Sequence, residues 1–470
     1  MRRPTDYRSR HSGKRGTVLI VTMWILLVLA GLVLVLARAM RAAGDRSANE
    51  LAAAQADTVE QGAVQYVLSG VDGLQGQVPS EVDTPCEAVQ VGDGAFWILK
   101  PTGDDDRAYY YGITDEAAKV NLNTAPVDML SRLPGMTAEF AASIVDWRDT
   151  DSTVTSGGAE NEYYLMLPDP YECKNGPLET VEELFLVRGA TKDIIFGQDV
   201  NRNGILDVGE SDNPLGGMFS SSGAHLFRGI INYVTVYSAE PAASSTAASS
   251  SSSTSASSGT RIVNVNDPMS GALTDLLRTV LSGDRLAVVR DNIRRERPFR
   301  NVLDFYFRSG LTIAEFRQIA TQVTAGTGRA PIGLINVCTA PKEVLLCLPG
   351  LDESDVAALA GKRPTVEADR ANIAWVAEAL SREKAQGIGN YITVWSYQFS
   401  ADIVSVAASG RAFKRCRVVI DARSSPPKVV YRQSLTHLGW PLAPDILEQL
   451  RSGAPLDRLT QAVGQKVVTR

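Results

Sequence analysis

The chain has 470 residues, 44% of them hydrophobic and 21% charged, with a net charge of −6 at neutral pH. That length exceeds one ordinary domain and the apolar content is ample for real cores, so two or three domains are expected. The acidic balance argues against phosphate backbones as partners, and three histidines, one of them His11 in the N-terminal leader, poorly supply histidine-metal catalysis or a Ser-His-Asp triad.

In chain order, a basic leader (Arg2, Arg3, Arg8, Arg10, Lys14, Arg15) ends at Gly16, and residues 17–37 carry no charge. As a helix at 1.5 Å per residue that run is about 31 Å long, close to a hydrocarbon core of about 30 Å. The flanking positive charge keeps the leader cytoplasmic and exports the remainder. A secretory signal peptide would show a shorter apolar region and a small-residue cleavage site, of which Leu36-Ala37-Arg38-Ala39 is a poor version. Residues 38–70 hold apolar side chains at helical spacing (Leu51, Ala54, Val59, Val64, Val67, Leu68) and no proline, so the membrane helix is expected to continue as one rod. Residues 87–100 and 107–113 alternate and are aromatic or β-branched, which predicts strands. Helical patterns then dominate from Asn121 to about Gln386, and strand texture returns from Tyr391 to Tyr431. Strands separated by so much helix predict an α/β sheet with an inserted α-domain. Within it, residues 239–260 are nearly pure Ser, Ala and Thr and read as a linker or surface loop that divides the insertion.

An internal repeat crosses that linker. Asn121-Leu-Asn-Thr-Ala-Pro-Val-Asp-Met-Leu-Ser-Arg-Leu-Pro-Gly135 matches Asn336-Val-Cys-Thr-Ala-Pro-Lys-Glu-Val-Leu-Leu-Cys-Leu-Pro-Gly350, and Val263-Asn-Val-Asn-Asp-Pro268 is a shorter echo. A second pair joins residues 181–191 to 302–312. The pattern predicts helix-hairpin-helix units in which Thr124 or Thr339 caps a helix with Pro126 or Pro341 in its first turn. DNA-binding hairpins grip phosphate through a Gly-x-Gly turn, and neither copy has the second glycine. Acids stand in Ile144-Val-Asp146-Trp147-Arg148-Asp149, where a phosphate binder would carry lysine. A structural or protein-contact role is favoured.

The strongest chemical pattern is an EF-hand-like calcium loop. Asp199, Asn201, Asn203 and Asp207 place side-chain oxygens at positions 1, 3, 5 and 9, Gly204 permits the sharp turn, Ile205 offers its carbonyl and Glu210 closes as a bidentate ligand. No helix-forming sequence follows, which predicts a solitary structural loop. Asp149, Asp151 and Glu160 form a candidate second calcium site in an acidic stretch from Asp146 to Glu162. No Walker loop, Gly-x-Ser-x-Gly or zinc-ligand spacing is present, so no enzyme is predicted. Five dispersed cysteines (Cys86, Cys173, Cys338, Cys347, Cys416) permit one or two disulfides of open connectivity.

The leader resembles type IV prepilin leaders, cut on the cytoplasmic side between Gly16 and Thr17. Most pilins and pseudopilins carry Glu at the fifth mature position; here it is Val21, as is typical of the K-type pseudopilin. Asn-Leu-Asn-Thr-Ala-Pro, Asp146-Trp-Arg-Asp, Gly157-Gly-Ala-Glu-Asn-Glu-Tyr-Tyr164 and Lys174-Asn-Gly-Pro resemble general secretion pathway protein K, the largest minor pseudopilin of type II secretion. The resemblance runs from the leader to about Pro441. It implies a pilin-like α/β domain with an inserted α-domain, calcium in that insertion and no enzymatic activity. It further implies cleavage and N-methylation at Thr17 by prepilin peptidase, and a single-pass inner-membrane protein with its bulk in the periplasm. Its place would be the pseudopilus tip, with I- and J-type minor pseudopilins as partners and no nucleic acid. The segments are then a leader (1–16), a transmembrane helix (17–37), the first part of the pilin-like domain (38–120), the insertion with its first hairpin and calcium loop (121–238), the linker (239–260), the second part of the insertion (261–388), the closing strands (389–441) and a tail (442–470). The alternative is a membrane-anchored competence-type DNA receptor, a class that is shorter and basic and uses Gly-x-Gly hairpins.

Overall fold

The computed structural model describes residues 15–100, 108–205, 210, 228–241, 262–268, 271–326 and 331–453. The leader up to Lys14, most of the Ser-rich stretch, Asp207 and the end of the tail lie outside them. Helix α1 (Arg15–Val71) is a single rod of 57 residues. From Val18 to Leu36 its large apolar side chains are all exposed. Among the described residues it is the one helix long and apolar enough to cross a membrane. Further along, Ala52, Ala56, Val59, Ala63, Val67 and Val71 are buried at three- and four-residue intervals, a stripe that faces a sheet.

Strands β1 (Val89–Val91) and β2 (Gly94–Leu99) form a hairpin over Gly92 and Asp93, and Gly92 takes the left-handed conformation (φ 58°) that such two-residue turns require. After the short β3 (Thr114–Asp115) the chain leaves the sheet.

The insertion is three versions of one unit. In each, a short strand opens, helices cross over, and a second strand returns to pair in parallel with the first, as parallel pairing requires. The first unit pairs β4 (Val120–Asn121) with β5 (Val234–Thr235) around helices α2 (Val127–Leu130), α3 (Ala138–Arg148), α4 (Asn161–Leu165) and α5 (Lys192–Phe196). The second pairs β6 (Val263–Asn264) with β7 (Val323–Thr324) around α6 (Gly271–Val280), α7 (Gly283–Glu296), α8 (Val302–Ser309) and α9 (Ile313–Ile319). The third pairs β8 (Ile335–Asn336) with β9 (Ile392–Thr393) around α10 (Lys342–Leu346), α11 (Glu353–Lys362), α12 (Glu367–Arg370), α13 (Ala374–Ala379) and α14 (Arg382–Ile388). One continuous apolar core runs through all three.

The shared signature is a pair of local hydrogen bonds. The opening asparagine accepts from the amide two residues on: Asn121 from Asn123 (2.8 Å), Asn264 from Asn266 (2.9 Å) and Asn336 from Cys338 (2.9 Å). The closing threonine does the same: Thr235 from Tyr237 (3.1 Å), Thr324 from Gly326 (3.1 Å) and Thr393 from Trp395 (3.2 Å). The repeat therefore includes a closing segment, Tyr233-Val-Thr-Val-Tyr-Ser238 against Tyr391-Ile-Thr-Val-Trp-Ser396. Ile392 and Thr393, expected to join the returning sheet, close the third unit instead. Helix capping also differs from expectation. Pro126 and Pro341 are the N-caps of α2 and α10, with no side-chain capping bond; Thr339 instead donates to Asp115 (2.5 Å).

The chain re-enters the sheet through β10 (Gln398–Val406), β11 (Phe413–Asp421) and β12 (Lys428–Ser434), giving the antiparallel order β1-β2-β10-β11-β12 with β3 beside β10. Alternation along β2 sends Phe96 and Ile98 to the α1 side and Ala95, Trp97 and Leu99 to the other. The second face is covered by Leu442, Ile446 and Leu450 around helix α15 (Pro444–Arg451), so the start of the tail belongs to the fold. All five cysteines are free thiols.

Insertion and sheet meet at two adjacent buried carboxylates. Asp115 Oδ2 accepts from Ser396 (2.5 Å), Thr339 (2.5 Å) and Asn336 (3.3 Å), all of the third unit. Glu116 accepts from Lys119 (2.5 Å), from Ser400 of β10 (2.6 Å) and from Thr235 of the first unit. Burial opposes ionisation of Glu116, but the charges of Lys119 and Arg417 outweigh it and hold the carboxyl down at about 2. At Asp115 burial, with the charge of Glu116 adding to it, outweighs the bonds of Ser396 and Thr339 and pushes the carboxyl up to about 6. An acid with a raised folded-state pKa stabilises the fold most below its unfolded value, near 3.9, and that contribution is lost as pH rises through about 6. Asp115→Asn and the wild type should therefore unfold alike near pH 4. The variant should gain on the wild type by up to about 3 kcal/mol as pH passes 6, read from paired denaturation curves. A relative loss over that range would contradict the assignment.

Candidate metal centre

Two groups of oxygen donors stand out in the first unit. Helix α3 ends at Arg148 with Asp149 as its C-cap, three residues after Asp146, a spacing that brings the two to one side of the helix end. Glu160 is the N-cap of α4 and turns back toward them. One carboxylate oxygen from each of Asp146, Asp149 and Glu160 lies within 4.8 Å of the others. Asp146 and Glu160 are buried, and both oxygens of Glu160 and Oδ1 of Asp149 have no hydrogen-bond partner. Asp146 is held by the Thr155 amide (3.1 and 3.2 Å). Gly158 makes the close approach feasible, since a Cβ there would sit 2.0 Å from Asp146 Oδ2.

The adjacent cation makes no ion pair with the group, although its charge counters the rise at Asp149. Arg148 points away and donates to the carbonyls of Ala125 (2.5 Å) and Leu122. Burial and then the neighbouring acids Asp151 and Asp146 push the Asp149 carboxyl above its ordinary range. Burial likewise raises Glu160, with the charges of Asp146 and Asp149 adding to it. Three carboxylates with unused lone pairs are a hard, oxygen-only donor set of the kind that holds calcium or magnesium. Of the expected second site, the structure brings Asp149 and Glu160 together and puts Asp146 where Asp151 was expected. Asp151 is exposed and its Oδ1 accepts from the Thr153 amide (2.7 Å). The helical spacing of Asp146 and Asp149 is the signal that selects the right acid.

In the second group, Asp199 is buried and accepts from the amides of Asn203 (2.9 Å) and Gly204 (2.7 Å). Asn201 accepts from Asn203 (3.0 Å), and Asn203 accepts from Ile205 (2.8 Å). Glu210 Oε1 reaches back to the Val200 amide (3.1 Å), so the first and last positions of the loop meet. Gly204 has φ 80°, as the tight turn demands. Burial and then the charge of Glu210 push Asp199 up to about 6. Asp199, Asn201, Asn203 and Glu210 thus accept from amides of one tight turn that also contains Ile205, and Asp207 lies outside the described residues. The loop is tied to the sheet: Arg415 of β11, paired with Asp402, donates to the carbonyls of Asn201 (2.5 Å) and Arg202 (2.8 Å), and Asn203 donates to Pro441 (2.9 Å).

With this geometry in hand, residues 113–196 match the family model of type II secretion system protein K. That segment is a protein K domain. It runs from β3 and the buried acids through the first hairpin and the Asp146–Asp149–Glu160 group to the end of α5. The match bears out the resemblance read from the sequence. The chain is also similar in structure to the GspK–GspI–GspJ complex of the type 2 secretion system of enterotoxigenic Escherichia coli, at 15% identity and a TM-score of 0.38, over 84% of this chain and 98% of that one. No curated protein matches.

Unpaired buried carboxylates destabilise a protein that has no cation between them. In chelator at pH 8, Glu160→Gln should raise the stability of the full chain by about 1–3 kcal/mol, whereas Asp151→Asn should leave it unchanged. Equal effects of the two substitutions would contradict the geometry.

Proposed function

We propose that this chain is a minor pseudopilin of the type II secretion system, placed at the tip of the pseudopilus and needed for protein export through assembly with I- and J-type partners. Prepilin peptidase would cut between Gly16 and Thr17, leaving α1 as a single-pass anchor in the inner membrane and the bulk of the chain in the periplasm, with Thr17 methylated. The observation that carries the reading is the position of the protein K domain. It sits between β3 and the returning strands of a sheet packed on one long helix whose N-terminal part is exposed and apolar.

Val21 supports the tip position. A shaft subunit is expected to use a glutamate there to neutralise the amine of the subunit ahead of it, and an unpaired charge in lipid is costly. A chain without the acid fits best where no subunit lies ahead. Calcium is proposed at both oxygen groups, with Asp146, Asp149 and Glu160 as one set and Asp199, Asn201, Asn203, Ile205, Asp207 and Glu210 as the other. Its role would be structural: to cancel the mutual repulsion of the acids and to fix the loop that Arg415 holds. No catalytic step is assigned.

The packing of the hairpins speaks against the DNA-receptor alternative. Arg132 of the first hairpin donates to the carbonyl of Leu348 (3.1 Å) in the third unit. Thr137 and Asp352 cap the second helices of the two hairpins, with Glu139, Glu353 and Asp355 in their first turns. Those turns offer acid where a phosphate would bind.

The full chain, purified from membranes of its own host, should begin at Thr17 by mass analysis and carry I- and J-type pseudopilins with it. Calcium should raise its melting temperature, and Glu160→Gln should remove much of that rise. Copurification with DNA at an affinity that falls steeply with salt, without pseudopilins, would decide for the receptor.

A further inference from the structure

The second unit is a basic region in an acidic chain. Between Arg278 and Arg308 the sequence has eight arginines, no lysine and four acids, while the whole chain carries −6. Spacing gathers part of this charge in one place. Ala287, Arg290, Asp291, Arg294 and Arg297 fall on one face of α7 and its C-cap, and all five line a groove between α7 and α6. The floor of the groove is apolar and comes from Leu273 and Leu277 of α6 with Ile293 of α7. Its volume is about 430 Å³, within the roughly 300–1,000 Å³ of clefts that hold a ligand. The two helices pack chiefly on each other and on α8, α9 and β6 of their own unit.

The arginines in the groove differ from those around it. Arg278 is matched by Asp275 (2.8 Å), Arg285 by Glu315 (2.8 Å), and Arg308 by Glu296 (3.0 Å) and Asp304 (3.1 Å). In the groove, Asp291 is shared between Arg294 (2.6 Å) and Arg295 (3.3 Å). Arg297 gives its Nε to the carbonyl of Val265 (2.8 Å), with Asp267 acting on it from nearby. Arg290 is exposed and makes no ion pair among the described residues. Planar guanidinium groups with donors to spare recognise carboxylates in pairs of hydrogen bonds, and the apolar floor between them suits an aliphatic side chain. A phosphate chain fits less well, because Asp291 stands in the middle of the arginine stripe and the floor would stay uncovered. We propose that the α6–α7 groove docks an acidic segment of a partner protein, with an apolar residue on Leu273 and Leu277 and its flanking carboxylates on Arg290 and Arg294. The segment that matches protein K ends at residue 196, so this site stands independently of the place proposed for the chain in secretion.

The test measures fluorescence anisotropy of a fluorescein-labelled peptide of repeated Glu-Glu-Leu, titrated with the full chain in detergent. Binding should be saturable and should weaken as salt rises. Arg290→Glu combined with Arg294→Glu should lower the affinity by about tenfold or more, and Arg278→Glu, which lies outside the groove, should leave it unchanged. Should the double variant lose its fold by melting temperature, Arg290→Glu alone, which breaks no ion pair, carries the test with the same direction of change. A peptide of repeated Glu-Glu-Ser should bind about tenfold more weakly than the leucine peptide, because the floor is left empty. Equal loss in Arg278→Glu and Arg290→Glu would reduce the effect to general charge and overturn the site. Equal binding of the serine peptide, or tighter binding of duplex DNA or of phosphatidylglycerol vesicles at the same salt, would overturn it as well.

Discussion

Everything in this architecture hangs on the Asp115–Glu116 pair, where the chain leaves the sheet. The two side chains engage different partners from one stretch of backbone. Asp115 collects the third unit through Ser396, Thr339 and Asn336, and Glu116 collects the first unit and the sheet through Thr235 and Ser400. The insertion departs and returns at neighbouring strands, so these bonds close a loop of nearly three hundred residues. Both acids are almost wholly buried, a position that is tolerable only because every donor around them is aimed inward. The first and third units also dock on each other reciprocally. The segment after the first unit bridges at Ala239 to Ile332 ahead of the third, and the segment after the third pairs at Phe399 with Asp115 ahead of the first. Gly333 is what permits this approach, since a Cβ there would sit 1.8 Å from Thr124 Oγ1.

From this neck the rest follows in order. The Asp199 loop lies close enough to be gripped by Arg415, so the oxygen donors of the first unit are held against the sheet rather than presented on a free loop. The Asp146–Asp149–Glu160 group sits at the other end of α3, in a wall of aromatic side chains where Trp147, Tyr164 and Tyr171 pack edge to face or tilted. A cation at either place would convert electrostatic strain into cross-linking between short helices that have little packing of their own. The proposed role at a pseudopilus tip asks for such rigidity.

Much of this was legible in the sequence because the signals were periodic or chemically specific. The apolar run and the helical stripe after it gave α1 its extent. The Asn-x-x-Thr-Ala-Pro repeat marked the openings of the first and third units. What was hidden depends on pairing at a distance. Val-Thr-Val-Tyr-Ser and Ile-Thr-Val-Trp-Ser look like ordinary strand residues, and only the parallel pairing of Thr235 and Thr393 with the opening asparagine strands reveals them as closures of the units. Thr339 resembles a helix cap by position, and the competing acid is more than two hundred residues upstream. Asp151 resembles a ligand by proximity in sequence, but the helix places Asp146 beside Asp149 instead. Residues 442–450 read as a tail because their apolar partners, Trp97 and Val404, lie on strands far away in the chain.

The central claim is that one pair of buried carboxylates makes the insertion and the sheet a single cooperative body. Hydrogen exchange of the full chain, comparing wild type with Glu116→Ala, tests it most directly. Amides of β4, β5 and β10 should lose protection together and by a similar factor, because the substitution releases Thr235, Ser400 and Lys119 at once. Loss confined to the residues next to position 116, with β5 and β10 as protected as in the wild type, would show that the two parts hold together by other means.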